Sequence, residues 1–173
     1  MEDALNFALL AARVWVGVVM FAHGWRHVKA LQSGPGMANW LESIGLRNGA
    51  LQAQLLTWSE IAVGPVLAVG FLTPAAYGAV ASLMLVAFIT NHRDKSFFIT
   101  ARPTEGWEYV MTLAVLGIVL GTVGPGRWSL DRAFDFSFPF EHDKALLVAA
   151  IVGIGGTALY LLTFWRPPAP SEG

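Results

Sequence analysis

Between Glu60 and Arg93 the chain runs for about 32 residues without a charged side chain. As one straight helix that stretch would be about 48 Å long, against a bilayer hydrocarbon core of about 30 Å. It must therefore fold back on itself. The break lies at Gly70-Phe71-Leu72-Thr73-Pro74, where proline suits the first turn of a new helix and Thr73 can cap it. The expected result is two antiparallel spans, near residues 53–72 and 74–91. To reach the necessary length, the first must carry Glu60 into the membrane.

Composition points the same way. Of the 173 residues 55% are hydrophobic and only 13% charged, with a mean hydropathy of +0.55, about half the charge of a soluble domain. A formal net charge of −1 supplies no basic surface for nucleic acid. The chain has no cysteine, which excludes disulfides, thiolate-ligated iron–sulfur clusters, covalent c-type haem and in-chain thiol redox chemistry. An all-α integral membrane protein is what remains.

The other spans follow from the same length argument. About 12 uncharged residues separate Arg13 from Arg26, too few to cross. Extending back to Leu5 makes a span and places Arg13 near its middle. The acidic Met-Glu-Asp start and the interruption at Arg13 disfavour a signal peptide, so the segment reads as a retained helix. A fourth span is expected near 107–123 with Glu108 just inside, and a fifth near 144–165, ending at Arg166-Pro167-Pro168. Trp25, Trp40, Trp58, Trp107, Trp128 and Trp165 lie near these ends, where indole rings favour the headgroup layer. Arg26, Lys29, Arg47, Arg93, Lys95, Arg102 and Arg166 fall on one face, and Arg127, Arg132 and Lys144 on the other. The positive-inside rule makes the first face cytoplasmic, with the amino terminus outside and the carboxy terminus inside.

Two connections are more than turns. Met37, Trp40, Leu41 and Ile44 fall at i, i+3, i+4 and i+7, the pattern of a short amphipathic helix. Residues 131–143 alternate charge with Phe134, Phe136, Phe138 and Phe140, which suggests a short extended or interfacial loop.

Ionisable groups at membrane depth are expensive, about 2.5–3.5 kcal/mol each on insertion scales, and should find partners. On a helical wheel Arg13, Gly17, Met20, Gly24 and His27 share one arc, as do Glu60, Gly64, Leu67 and Phe71. Glu108 lies above Thr112, Val115 and Val119. These stripes are expected to face inward, the glycines permitting close helix approach. Arg13 would pair with Glu60 or, from the opposite face, with Asp131. His23, His27, Glu60, Asn91, His92 and Glu108 fall in one half of the bundle, as around a hydrated pocket. Three uses fit such a cluster. It can be structural, fixing helix register. It can be a pocket for a quinone or another small redox ligand, with His or Glu exchanging protons with a ring carbonyl. It can be a metal or haem site built from His23 and His27 at i, i+4, with His92 approaching from the third helix. Gly117 and Gly121, and the Gly153-Ile154-Gly155-Gly156 run, offer flat helix-packing surfaces, the latter for a partner subunit. No phosphate loop, nucleophile elbow or HExxH motif is present.

In order and spacing these residues resemble the DoxX family of small membrane proteins. Arg13 through Gly17 to Phe21-Ala22-His23-Gly24 is similar to that family's opening, and Trp40-Leu41 to Gly45-Leu46 to its aromatic segment. Glu60, Gly64, Leu67, Gly70 and Thr73 follow the second helix. Ala87 to His92 with Phe97-Phe98 resembles the end of the third. Glu108 stands at the acidic position of the fourth, and Gly124-Pro125-Gly126-Arg127-Trp128-Ser129-Leu130-Asp131 resembles the close. The similarity covers about residues 9–132 and implies a four-helix membrane core, residues 1–132. Residues 133–173, comprising a loop, a fifth transmembrane helix and a short Pro-rich tail, lie outside it. The family usually has a lysine shortly after the histidine–glycine pair, and here His27 or Lys29 must take that place. Relatives are tied to thiosulfate:quinone oxidoreduction and to oxidative-stress complexes. The resemblance thus implies a multi-pass subunit of a bacterial inner-membrane oxidoreductase complex. It would contact lipid and other subunits or further copies of itself, with Arg13, His23, Glu60, His92 and Glu108 handling ligand or protons. A non-catalytic scaffold and a small-molecule permease are the alternatives; the absence of an inverted repeat speaks against the permease.

Overall fold

The structure, a computed structural model, describes residues 2–136 and 142–168. Its helices are α1 (Glu2–Gln32), α2 (Gly36–Ser43), α3 (Gly49–Val69), α4 (Thr73–Ala87), α5 (Glu108–Val123) and a short α6 (Leu130–Ala133). A π-helical turn, Phe88–His92, extends α4. The last helix consists of α7 (His142–Ala150), a second π-helical turn (Ile151–Gly155) and α8 (Gly156–Phe164). Three segments are long and apolar enough to cross a membrane: Glu2–Gln32, Thr73–His92 and Asp143–Phe164. The chain is an all-α membrane protein. Helix α5 is apolar but shorter, and α3 has the length but carries Gln52, Gln54, Ser59 and Glu60.

Antiparallel α1 and α3 pack most intimately. A Cβ at Gly17 would stand 2.5 Å from the Gly64 carbonyl oxygen, and one at Gly24 only 2.8 Å from the Ile61 nitrogen. Glycine at these places lets the two backbones touch, the small-residue packing used within membranes. Between this pair and α4–α5 lies the main core, with Val16, Met20, Leu67, Tyr77, Val80 and Leu113 at its centre.

The α3–α4 reversal falls at the expected residues but is held differently. Gly70 takes φ +70°, and Leu72 and Thr73 open the new helix. The expected Thr73 hydroxyl cap does not form. Instead the Asp131 carboxylate, brought from the far loop, accepts the Leu72 and Thr73 amides at 2.6 and 2.8 Å. A carboxylate takes two of the orphan amides and also complements the positive end of the helix, which a hydroxyl cannot. Asp131 lies in α6, so the loop expected over 131–143 begins as a helical turn; Phe138 and Phe140 lie outside the described residues.

Two further expectations are corrected. The inward stripe of α5 is Val110, Leu113, Ala114, Gly117 and Gly121, whereas Thr112, Val115 and Val119 face outward. Glu108 is half-buried above an exposed stripe. The glycine run of the last helix is divided: a Cβ at Gly153 would meet Ile118 and Ala81 and one at Gly156 would meet Ser82, while Ile154 and Gly155 face outward. The amphipathic helix does form as α2. Its Glu42 is bound into the fold, with its carboxylate accepting the Gly49 amide at 2.8 Å at the start of α3.

The last helix runs parallel to α4 and antiparallel to α5. Its end is tied to the α2–α3 loop. The Trp165 indole donates to the Ile44 carbonyl at 2.9 Å. The Arg47 amide donates to the Phe164 carbonyl, and the Arg166 amide to the Gly45 carbonyl.

Candidate functional site

The polar groups singled out in the sequence occupy three separate places. At the α3–α4 reversal, Arg13 is 1% exposed. Its guanidinium donates to the main-chain carbonyls of Ala68 and Trp128 and lies flush against Gly70, where a Cβ would overlap it. No carboxylate stands within ion-pair distance of Arg13 among the described residues; Asp131 acts on it electrostatically from farther off. Neither expected pairing is formed. Arg13 lies eleven positions before Gly24, the residue abutting Glu60, which separates the two charges by about 16 Å along the helix. Arg13 Nε, the Thr73 hydroxyl and the Tyr77 hydroxyl are buried there without hydrogen-bond partners.

Toward the other end, Glu60 is 3% exposed and its Oε2 lies 2.7 Å from His27 Nδ1. The contact has the distance of an ion pair but not the alignment of a hydrogen bond. Gly24 makes the room, one turn before His27. His23 is exposed and stacks on Tyr109 of α5, ring centroids 6.0 Å apart, and Tyr109 feels the Glu60 charge. This site holds one carboxyl, two imidazoles and a phenol on the α1–α3–α5 side.

The third place was not legible as a site. Between α3, α4 and the last helix, under α2, lies a half-enclosed, mainly apolar groove of about 620 Å³, within the range of small-molecule sites. Gln52, Thr90, Asn91, His92 and Tyr160 bring polar atoms to it. The π-helical turn matters here, because its extra residue rotates the end of α4 relative to a regular helix. Asn91 and His92 both line the groove. Tyr160 donates its hydroxyl to Gln52 Oε1, and Gln52 Nε2 donates one of its two N–H groups to the Arg47 carbonyl at 3.1 Å.

His92 is the group left wanting. Lys95 Nζ lies 3.4 Å from Asn91 Oδ1, which turns the Asn91 amino group toward His92 Nε2 at 3.2 Å. With Nε2 accepting, the neutral ring carries its proton on Nδ1. That Nδ1 is buried and makes no aligned hydrogen bond, although the Glu105 main chain lies close. An imidazole and a side-chain amide at one end of an apolar groove are groups able to bond a ring oxygen, so this end of the groove is compatible with a quinone head.

The metal and haem expectation fares otherwise. His23, His27 and His92 have three different sets of neighbours, namely Tyr109, Glu60 and the groove. Among the described residues no three His, Cys, Asp or Glu side chains stand close enough to share a metal ion.

Comparison with known proteins identifies one family. The DoxX family model matches residues 8–93, from α1 to the end of the π-helical turn. No curated protein and no solved structure matches the chain. The matched stretch contains Arg13, Gly17, His23, Gly24, Glu60, Gly64 and His92. Glu108, Asp131 and the last helix lie beyond it.

Proposed function

We propose, taking as premise that the chain belongs to the DoxX family through residues 8–93, that it is a multi-pass subunit of a membrane oxidoreductase complex. Its contribution is a pocket for a quinone or another small redox ligand. The observation that carries this reading is the 620 Å³ apolar groove with Gln52, Asn91, His92 and Tyr160 among its lining. The imidazole would donate to a ring oxygen of the bound group, and the apolar walls would exclude water around it. Lys95 and Asn91 set the tautomer that makes this donation possible.

Glu60 and His27 are the proton-handling pair of the proposal. A carboxyl and an imidazole 2.7 Å apart can share one proton between neutral and ion-pair forms without a net charge in the bundle, the arrangement that acid–base work at membrane depth needs. His23, stacked on Tyr109, and Glu108, half-buried at the start of α5, would pass protons to and from it. Arg13 belongs to the architecture. In this reading residues 1–132 are the four-helix core and 133–173 an added loop, helix and tail. The setting is a bacterial inner membrane with the amino terminus outside, and the neighbours are lipid and other subunits.

The test is what accompanies the protein. After purification in mild detergent, a lipid extract and an absorption spectrum should show quinone retained by the wild-type chain. His92→Phe should lower that retention about tenfold, the loss of one hydrogen bond to a buried group. Retained subunits without quinone, unchanged by His92→Phe, would make the chain a scaffold instead.

A further inference from the structure

The groove runs beside α4 from Ala79 to His92, about 20 Å along the helix, and beside α3 from Gln52 to Val63. Its polarity is one-ended. Gln52, Thr90, Asn91, His92 and Tyr160 gather at the His92 end, while the length below is walled mainly by leucine, valine and alanine. Of its two remaining hydroxyls, Ser82 is engaged by Thr157. Among the described residues no lysine, arginine, aspartate or glutamate is a lining residue, and Lys95, beside Asn91, is already engaged with its Oδ1 at 3.4 Å, so a charged head drawn between the apolar walls would lose its hydration. The third wall, Val152, Gly156 and Tyr160, comes from the last helix, outside the family match.

We propose that the occupant is an uncharged-headed amphiphile with one long hydrocarbon chain, taken from the bilayer. We further propose that the last helix selects it, through the room left at Gly156 and the position held by Tyr160. This rests on reading the groove as the ligand site but goes beyond it, because a compact water-soluble redox ligand would fill the polar end and leave the shaft empty. At Gly156 a Cβ would come within 3.3 Å of Ser82 Oγ, so a larger side chain there must turn into the shaft or displace Ser82. Tyr160 is a positioning residue. Its bond to Gln52 ties the last helix to α3 beside the polar end of the groove.

The probes are a quinone with a long isoprenoid chain, the same head without a chain, and a long-chain fatty alcohol. Each is equilibrated with the full-length protein in detergent, and the retained amount is measured by mass spectrometry. The wild-type chain should retain the tailed quinone at least tenfold better than the tail-less one. Gly156→Leu should abolish that preference. Ala62→Leu, a substitution at an exposed position on the α3 wall, supplies the same test should Gly156→Leu misfold, as judged by gel filtration. Tyr160→Phe should reduce the preference in a chain that still folds by gel filtration. If the fatty alcohol shows the Gly156-sensitive retention and neither quinone binds, the redox reading fails and this inference stands. Equal retention of tailed and tail-less quinone overturns the inference and leaves the redox reading intact. No retention of any chain-bearing probe overturns it as well.

Discussion

A guanidinium 1% exposed inside a membrane bundle must find acceptors, and Arg13 finds two main-chain carbonyls, Ala68 in the last turn of α3 and Trp128 in the loop before α6. Replacing it with leucine strands the Ala68 and Trp128 carbonyls and removes the cation facing Asp131. The expected cost is about 3–5 kcal/mol, the range for losing two hydrogen bonds from a charged group, read as a lower unfolding temperature in detergent. Lysine should recover only part of it, because a single ammonium cannot reproduce the fork reaching two carbonyls. Glu60→Gln should behave differently. It keeps the shape beside Gly24 and His27, so the chain should fold, while any proton-coupled turnover of the assembled complex should fall at least tenfold. Collapse of assembly with Glu60→Gln would make the pair structural. The depth of Arg13 and Glu60 was legible in the sequence, because the flanking apolar runs are too short to span without them. Their partners were not. Main-chain acceptors leave no mark on a sequence, and helical spacing alone does not set how far α1 slides along α3.

At the scale of the helix, that slide is fixed where Gly17 meets Gly64 and Gly24 meets Ile61. Gly17→Leu should force α1 from α3, costing about 1–3 kcal/mol as overpacking does, and should separate His27 from Glu60 at the same time. Spectroscopic or thermal measurements should register both effects in one variant. Asp131→Asn should cost about 1–2 kcal/mol, a helix cap lost, because an amide offers one acceptor where the carboxylate serves two amides; a thermal scan reads it. Helix positions and the arc of α1 could be read from apolar runs and wheel geometry. The outward turn of Thr112, Val115 and Val119 could not, since α5 is apolar on every side and only packing decides which side is inner. The π-helical turn at Phe88–His92 was equally hidden. It depends on a backbone register shift that no residue in Phe-Ile-Thr-Asn-His announces, and it helps bring His92 to the groove.

For the whole molecule, the feature that sequence patterns under-described is the last helix. Its apolar length was plain, but its partner was not: it lies along α4 and closes one side of the groove, and its end is bonded to Ile44, Gly45 and Arg47. A chain ended before residue 142 should therefore lose ligand retention even if α1 to α5 still assemble, which co-purification would register. The chain has no cysteine of its own, so a single introduced thiol reports without background. The most direct measurement places it at Ser59, on the α3 wall of the groove, in native membranes. The account expects Ser59→Cys to react with a membrane-soluble maleimide, to resist a sulfonated one added from either side, and to be shielded severalfold by a long-chain quinone. Rapid reaction with the sulfonated reagent, unaffected by quinone, would contradict it.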